Sequence, residues 1–364
     1  MKILLIGEYS NVHWTLAEGL RSLGHEVCVA SNGDFWKDYK RDISLTRSSS
    51  KASGIKLLLK ILFTLPRMRG YDVVQIINPM FLELKAERIA PIYRYLRKHN
   101  KKMFMCAHGM DRYWVEGCTA QPPLFRYSDF NIGNTPISNP FIEEQKKDWN
   151  GTAKAMLNEE IAHDCDGIIA GLYEYYAVYE REFKEKLTYI PLPVEPEKRI
   201  ERKQGNNKIT FFIGINKERN AYKGTDIMLR ALERIARDYP DKCEILKAES
   251  VPFAQYRQMI DDSDVLLDQL YGYSPAMNAL LAMSKGKIVV GGAEEEYYRM
   301  LGESSLRPLV NVTPSEEDVY NKLKWLIDNR DRIPQMQADC ITLVNRHHSP
   351  RKVAKQYLEF WQSR

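Results

Sequence analysis

Apolar residues along this chain fall into short runs, separated by stretches in which they recur at helical spacing. Residues 2–7 (KILLIG) form an unalternated run of strand length, as expected for a parallel strand buried on both faces. Leu16, Leu20 and Leu23 then share one helical face, and Gly24 supplies a stop signal. Residues 26–30 return to strand. Residues 72–77 (DVVQII) and 102–107 (KMFMCA) predict two more, each behind a helical stretch, and 167–170 and 187–190 close the first half. Strands alternating with helices predict a parallel sheet with right-handed crossovers.

Residues 191–207 (PLPVEPEKRIERKQGNN) are rich in proline and charge and have no apolar period, so they read as a linker. Beyond it the alternation restarts, with strands at 209–213, 243–248, 264–268 and 287–291 and helices at 225–238 and around 254–262. Ser274 and Pro275 predict the start of a further helix. Thr313 with Glu316 fits a capping box. Ser349 and Pro350 open a terminal helix with Val353, Tyr357 and Phe360 on one face. The expected organisation is an α/β chain of two Rossmann-like domains facing across a cleft. Residues 1–194 form the first domain, 195–207 the linker and 208–346 the second domain. A helix at 347–364 packs back on the first. Residues 112–151 carry prolines and aromatics but no period, and read as an acceptor-side lid.

Composition narrows the classes. With 44% hydrophobic and 28% charged residues the chain is ordinary for a globular protein. A net charge of +5 suits anionic ligands or an anionic membrane surface but is too weak to indicate nucleic acid. The six cysteines include no CxxC pair and no zinc-type spacing, so they read as free thiols in a reducing cytoplasm. No apolar stretch reaches the roughly 18 residues needed to cross a bilayer. The nearest, 56–70 (KLLLKILFTLPRMRG), reads as a crossover helix on the sheet. Its other reading is an amphipathic helix lying on a membrane, with Lys56, Lys60, Arg67 and Arg69 facing lipid phosphates.

The densest chemistry lies at 211–224 (FFIGINKERNAYKG). An apolar run ends at Gly214, and Lys217, Arg219 and Lys223 follow where ligands bind in open α/β sheets, outside the carboxyl ends of strands. Three cations there suit a multiply charged anion, a nucleotide diphosphate above all; the other reading is a solvated basic turn. Gly7, Glu8 and Tyr9 form the first loop after a strand, and the absence of GxGxxG argues against a dinucleotide cofactor. No DxD-type pair demands a metal.

Taken in order, MKILLIGE, CAHGMD, IPLPVE, IGIN…YKGTD and ALLAMSKGKIVVGG resemble GT-B glycosyltransferases, and more narrowly family 4, across nearly the whole chain. The resemblance implies transfer of a sugar from a nucleotide diphosphate donor to a glycan or lipid-linked acceptor. It implies work at the cytoplasmic face of a membrane, in making a surface polysaccharide such as capsule or lipopolysaccharide. Arg219 and Lys223 match the family's diphosphate contacts, with Gly214 and Lys217 beside them. His108 matches a histidine that faces the transferred sugar, with Glu8, Tyr9 and Asp111 on the acceptor side. Family members usually carry two glutamates separated by seven residues. Here those places fall on Tyr273 and Leu281, and no glutamate lies between Glu249 and Glu294. Tyr273, Ser274 and Asn278 are the candidates to fill the gap, with Gly291, Gly292 and Glu294 to Glu296 behind them. Relatives mostly retain anomeric configuration; without the glutamate pair the stereochemistry stays open. Two other readings remain: a non-catalytic GT-B protein binding a nucleotide sugar or a protein partner, and a nucleotide-sugar epimerase.

Overall fold

The computed structural model describes residues 1–47, 53–197, 208–215, 223–249 and 251–364, which form two compact units. The first comprises Met1–Gly117, Glu144–Pro193 and Pro350–Arg364; the second comprises Cys118–Glu143 and Val194–Ser349.

The first unit is built on seven strands: β1 (Lys2–Ile6), β2 (Glu26–Ser31), β3 (Ile43–Ser44), β4 (Val73–Ile76), β5 (Lys102–Ala107), β9 (Gly167–Ala170) and β10 (Leu187–Tyr189). Their order is β10-β9-β5-β4-β1-β2-β3, and every pairing is parallel. Ile3, Leu4 and Leu5 of β1 are wholly buried, as the unalternated run requires of a strand covered on both faces. One layer over the sheet is made by the helix Val12–Arg21 and the last helix, Pro350–Ser363. Leu16 and Leu20 share a core with Val353, Tyr357 and Trp361. Gly19 lets these helices approach, since a Cβ there would lie 2.3 Å from the Pro350 carbonyl oxygen.

The second unit has a parallel five-stranded sheet of β11 (Ile209–Ile215), β12 (Cys243–Glu249), β13 (Val265–Leu267), β14 (Ile288–Gly291) and β15 (Val310–Asn311), in the order β12-β11-β13-β14-β15. The helices Thr225–Asp238 and Glu316–Asp328 bury Met228, Leu232, Ile235, Val319 and Leu323 in its core. A small antiparallel meander, β6 (Tyr127–Ser128), β7 (Asn131–Ile132) and β8 (Thr135–Pro136), belongs to this unit as well.

Several sequence expectations are corrected. Residues 118–143 group with the second unit, although the expected first domain runs unbroken from 1 to 194. The stretch 112–151, without a period in the sequence, holds the helices Arg112–Thr119 and Pro140–Trp149, before and after the meander in the chain. The helix expected from Ser274 and Pro275 begins at Met277, and no side chain caps it. The helix assigned to a Thr313–Glu316 box is capped by Ser315, whose hydroxyl accepts from the Asp318 amide. Thr313 instead donates its own amide and hydroxyl to Asp318. Most of the expected linker, 198–207, lies outside the described residues.

Candidate active site

In each sheet the strand order reverses once beside a central strand, and ligand crevices of open α/β sheets form outside the carboxyl ends of the strands at that point. In the first unit the reversal falls between β1 and β4, and in the second between β11 and β13. The loops leaving these strands and their neighbours hold most of the candidate residues.

In the first unit, Gly7 turns the chain out of β1 at φ +86°, and a Cβ there would meet Ile77 Cγ2 at 2.3 Å. Glu8 is buried and accepts from the amides of His13 (3.2 Å) and Trp14 (2.9 Å), closing the start of the helix Val12–Arg21. Burial pushes its carboxyl up to about 8, against the pull of those amides. His13 lies 2.8 Å from the Gly7 carbonyl through Nδ1, which fixes the proton there, so its Nε2 accepts from Gln75 Nε2 at 3.1 Å. Burial lowers His13 to about 3.

His108 follows β5. Asn78, two residues past β4, donates to its carbonyl at 2.6 Å and so ties together the segments that leave the two strands. The His108 side chain is buried, and among the described residues neither ring nitrogen has a hydrogen-bond partner. Burial lowers it to about 4, so the ring is neutral at ordinary pH, with one donor and one acceptor to offer. Leaving both unmet in a buried place is costly. Gly171 makes room for the ring: a Cβ there would lie 2.7 Å from His108 Nε2.

Asp111 is wholly buried and accepts from the Trp114 amide (2.8 Å) and the Tyr179 hydroxyl (2.7 Å). Tyr179 accepts in turn from Asn158, whose side-chain oxygen takes the Arg112 amide. Burial raises Asp111 to about 6. Glu8 and Asp111, both expected on the acceptor side, are thus engaged at helix starts. Tyr9 lies against Gly109, where a Cβ would be 3.4 Å from the ring, and burial with two nearby carboxylates raises its phenol.

In the second unit, Lys217 and Arg219 lie outside the described residues. Gly214, near the end of β11, gives the Tyr256 ring its place, since a Cβ would sit 2.6 Å from it. Lys223 precedes Gly224, which adopts φ +67° to start the helix Thr225–Asp238. Its ammonium charge offsets the burial that raises the Asp268 carboxyl. Asp268, at the end of β13, also accepts from Asn278 Nδ2 at 3.2 Å, and Asn278 Oδ1 accepts from the Tyr256 hydroxyl at 3.2 Å. Lys223, Asp268, Asn278 and Tyr256 therefore form one polar group at the strand reversal. Asp268 is absent from the sequence candidates; its signal there is an acid directly after an apolar strand run. Ser274 is buried.

Tyr273 is placed differently from a ligand platform. Only 2% exposed, it stacks on Tyr127 at 4.9 Å, touches Phe125 and lies under the Arg126 guanidinium. Arg126 pairs with Glu294 and Glu296, and Glu294 also accepts from Tyr127 and Asn311. The meander thus occupies the aromatic ring and the carboxylates expected near the nucleotide. Among the described residues no group of three or more His, Cys, Asp or Glu is placed to hold a metal ion.

No protein-family model matches the chain, and no characterised protein matches it in sequence. Solved structures match it over its whole length. Anabaena HepE in complex with UDP-glucose aligns at TM-score 0.63 and 11% identity, covering 100% of both chains. Sucrose-phosphate synthase from Thermosynechococcus elongatus aligns at TM-score 0.64 and 11% identity, over 100% of this chain and 99% of that one. A putative UDP-N-acetylglucosamine 2-epimerase from Listeria monocytogenes aligns at TM-score 0.57 and 10% identity, over 98% and 94%. With its two parallel sheets, and with its last helix against the first, this chain has the GT-B fold.

Proposed function

We propose that the protein is a glycosyltransferase that takes a sugar from a nucleotide diphosphate donor and passes it to a glycan or lipid-linked acceptor, in the making of a surface polysaccharide. The observation that carries this reading is His108, a neutral buried imidazole beside the strand reversal of a GT-B chain, with both ring nitrogens unmet. A sugar hydroxyl, donor and acceptor at once, suits such a ring. The Lys217–Arg219–Lys223 stretch is assigned the diphosphate. Negative charge grows on the leaving oxygen as the glycosidic bond breaks, so a fixed cation there favours the transition state over the ground state. Asn278, held between Asp268 and Tyr256, is assigned a hydroxyl of the donor. A cytoplasmic working place belongs to the same proposal.

The alternative is an epimerase, favoured by the Listeria structure among the matches. Incubation with a panel of UDP-sugars, with and without glycan acceptors, separates the two. UDP release that depends on an acceptor, and falls in His108→Ala, is the expected outcome. Interconversion of the donor sugar with no acceptor present supports the epimerase, and donor binding with no turnover on any acceptor supports a non-catalytic protein.

A further inference from the structure

The helix Ser53–Thr64 and the turn Leu65–Met68 after it carry two apolar faces. Leu57, Ile61, Leu65 and Met68 are buried in the first unit. Ile55, Leu59, Leu62 and Phe63 are exposed by 67%, 49%, 48% and 81%. At about 3.6 residues per turn these four, spaced i, i+4, i+7 and i+8, make one stripe facing away from the buried one. A crossover helix needs only the inward stripe, so the outward one is unexplained by packing.

Charge says what covers it. Lys56 and Lys60 flank the stripe on the Phe63 side, and Arg67 and Arg69 follow in the turn, all four exposed. No acidic residue occurs from 53 to 71, and no ion pair involves these four cations among the described residues. The unit's other exposed aromatics, Phe35 and Trp36, sit instead among matched charges, Lys37 with Asp34 and Arg41 with Asp38. A second copy on the stripe would bring like charges together. We propose that Ile55, Leu59, Leu62 and Phe63 insert into the surface of an anionic lipid bilayer, with Lys56, Lys60, Arg67 and Arg69 on the lipid phosphates. No helix among the described residues is long and apolar enough to cross a membrane, so the contact is interfacial.

Co-sedimentation with phosphatidylcholine vesicles, with and without phosphatidylglycerol, tests this. The assay holds neither donor nor acceptor, so its result stands apart from that of the transfer assay. The expected result is binding to anionic vesicles alone, weakened by salt. Leu59→Gln with Phe63→Gln lowers it about tenfold or more, and Lys56→Gln with Lys60→Gln lowers it by a similar factor. All four positions are exposed, and an unchanged thermal melt shows that the variants fold. Absence of binding to anionic vesicles, or binding that survives the Leu59/Phe63 change, overturns the proposal. So does a wild-type dimer in light scattering that this variant turns into a monomer, which assigns the stripe to self-association.

Discussion

At the scale of single residues, His108 makes the sharpest demands. If its ring serves a sugar hydroxyl, His108→Ala lowers kcat by about a hundredfold and leaves UDP affinity nearly unchanged, as titration calorimetry would show. Lys223→Ala and Arg219→Ala should each weaken UDP binding or turnover about tenfold or more; unchanged kinetics in both removes the diphosphate assignment. Gly171→Ala should mimic the histidine variant, because its new methyl meets His108 Nε2 and Leu192. The histidine also leaves a signature in pH. Its folded value near 4 lies below the ordinary 6.5, so as pH falls the unfolded chain takes the proton first and stability drops between about 6.5 and 4. Glu8 acts in the opposite sense: its folded value near 8 makes the native state bind the proton first, so stability rises as pH falls from about 8 to the ordinary carboxyl range. Buried His13 and Asp111 are shifted over the same range, so the comparison must be made against a variant. Between pH 7 and pH 5, wild type should lose on the order of 2 kcal/mol relative to His108→Gln in urea denaturation.

Among the elements, the meander of β6, β7 and β8 decides what Tyr273 is for. A stacking platform for a base or sugar would lose ligand affinity on truncation and keep its melting point. Tyr273 is packed by Phe125 and Tyr127 instead, so Tyr273→Ala should cost about 3 kcal/mol of stability, while Tyr273→Phe keeps UDP affinity. Thermal melts and calorimetry on the pair distinguish the roles. The same elements show what can be read from the sequence and what cannot. The β1 and β11 strands are legible because a strand buried on both faces must be a solid apolar run, and KILLI and ITFFIGI are such runs. The meander strands are two residues each, too short for any period to register, and the side chains that Tyr127 packs against, Tyr273 and Glu294, lie more than a hundred residues away. Helix starts fall two residues off at Ser274 and Thr313, because Ser and Thr also close turns and only the backbone path decides between the uses. Glu8 and Asp111 read as ligand contacts since a loop acid after a strand serves either a ligand or the next helix, and spacing is the same for both.

For the molecule as a whole, the decisive feature is that the last fourteen-residue helix, Pro350–Ser363, completes the core begun by the first strand. Residues 118–143 and 194–349 belong to the other unit, so the first unit needs three separate pieces of chain to close. Trp361 is wholly buried against Phe104 of β5 and Tyr357, and Lys102 donates to its carbonyl at 2.8 Å. Removing the indole leaves a large apolar void, for which about 3–5 kcal/mol is the usual cost. Stabilities of whole domains are only about 5–15 kcal/mol, so such a loss takes a large share of the first unit's margin. The second unit has a core of its own, drawn from residues between Ile209 and Ile333. Trp361→Ala should therefore split one thermal transition into two, or widen an existing gap, with only the earlier one shifted downward. If UDP binds the second unit, as proposed, it gives a second, independent reading: ligand should raise the later transition in wild type and variant alike, by mass action on the folded unit. Calorimetric scans with and without UDP read both effects in one experiment. A uniform downward shift of all unfolding, or a loss of UDP stabilisation in Trp361→Ala, contradicts the independence of the two cores.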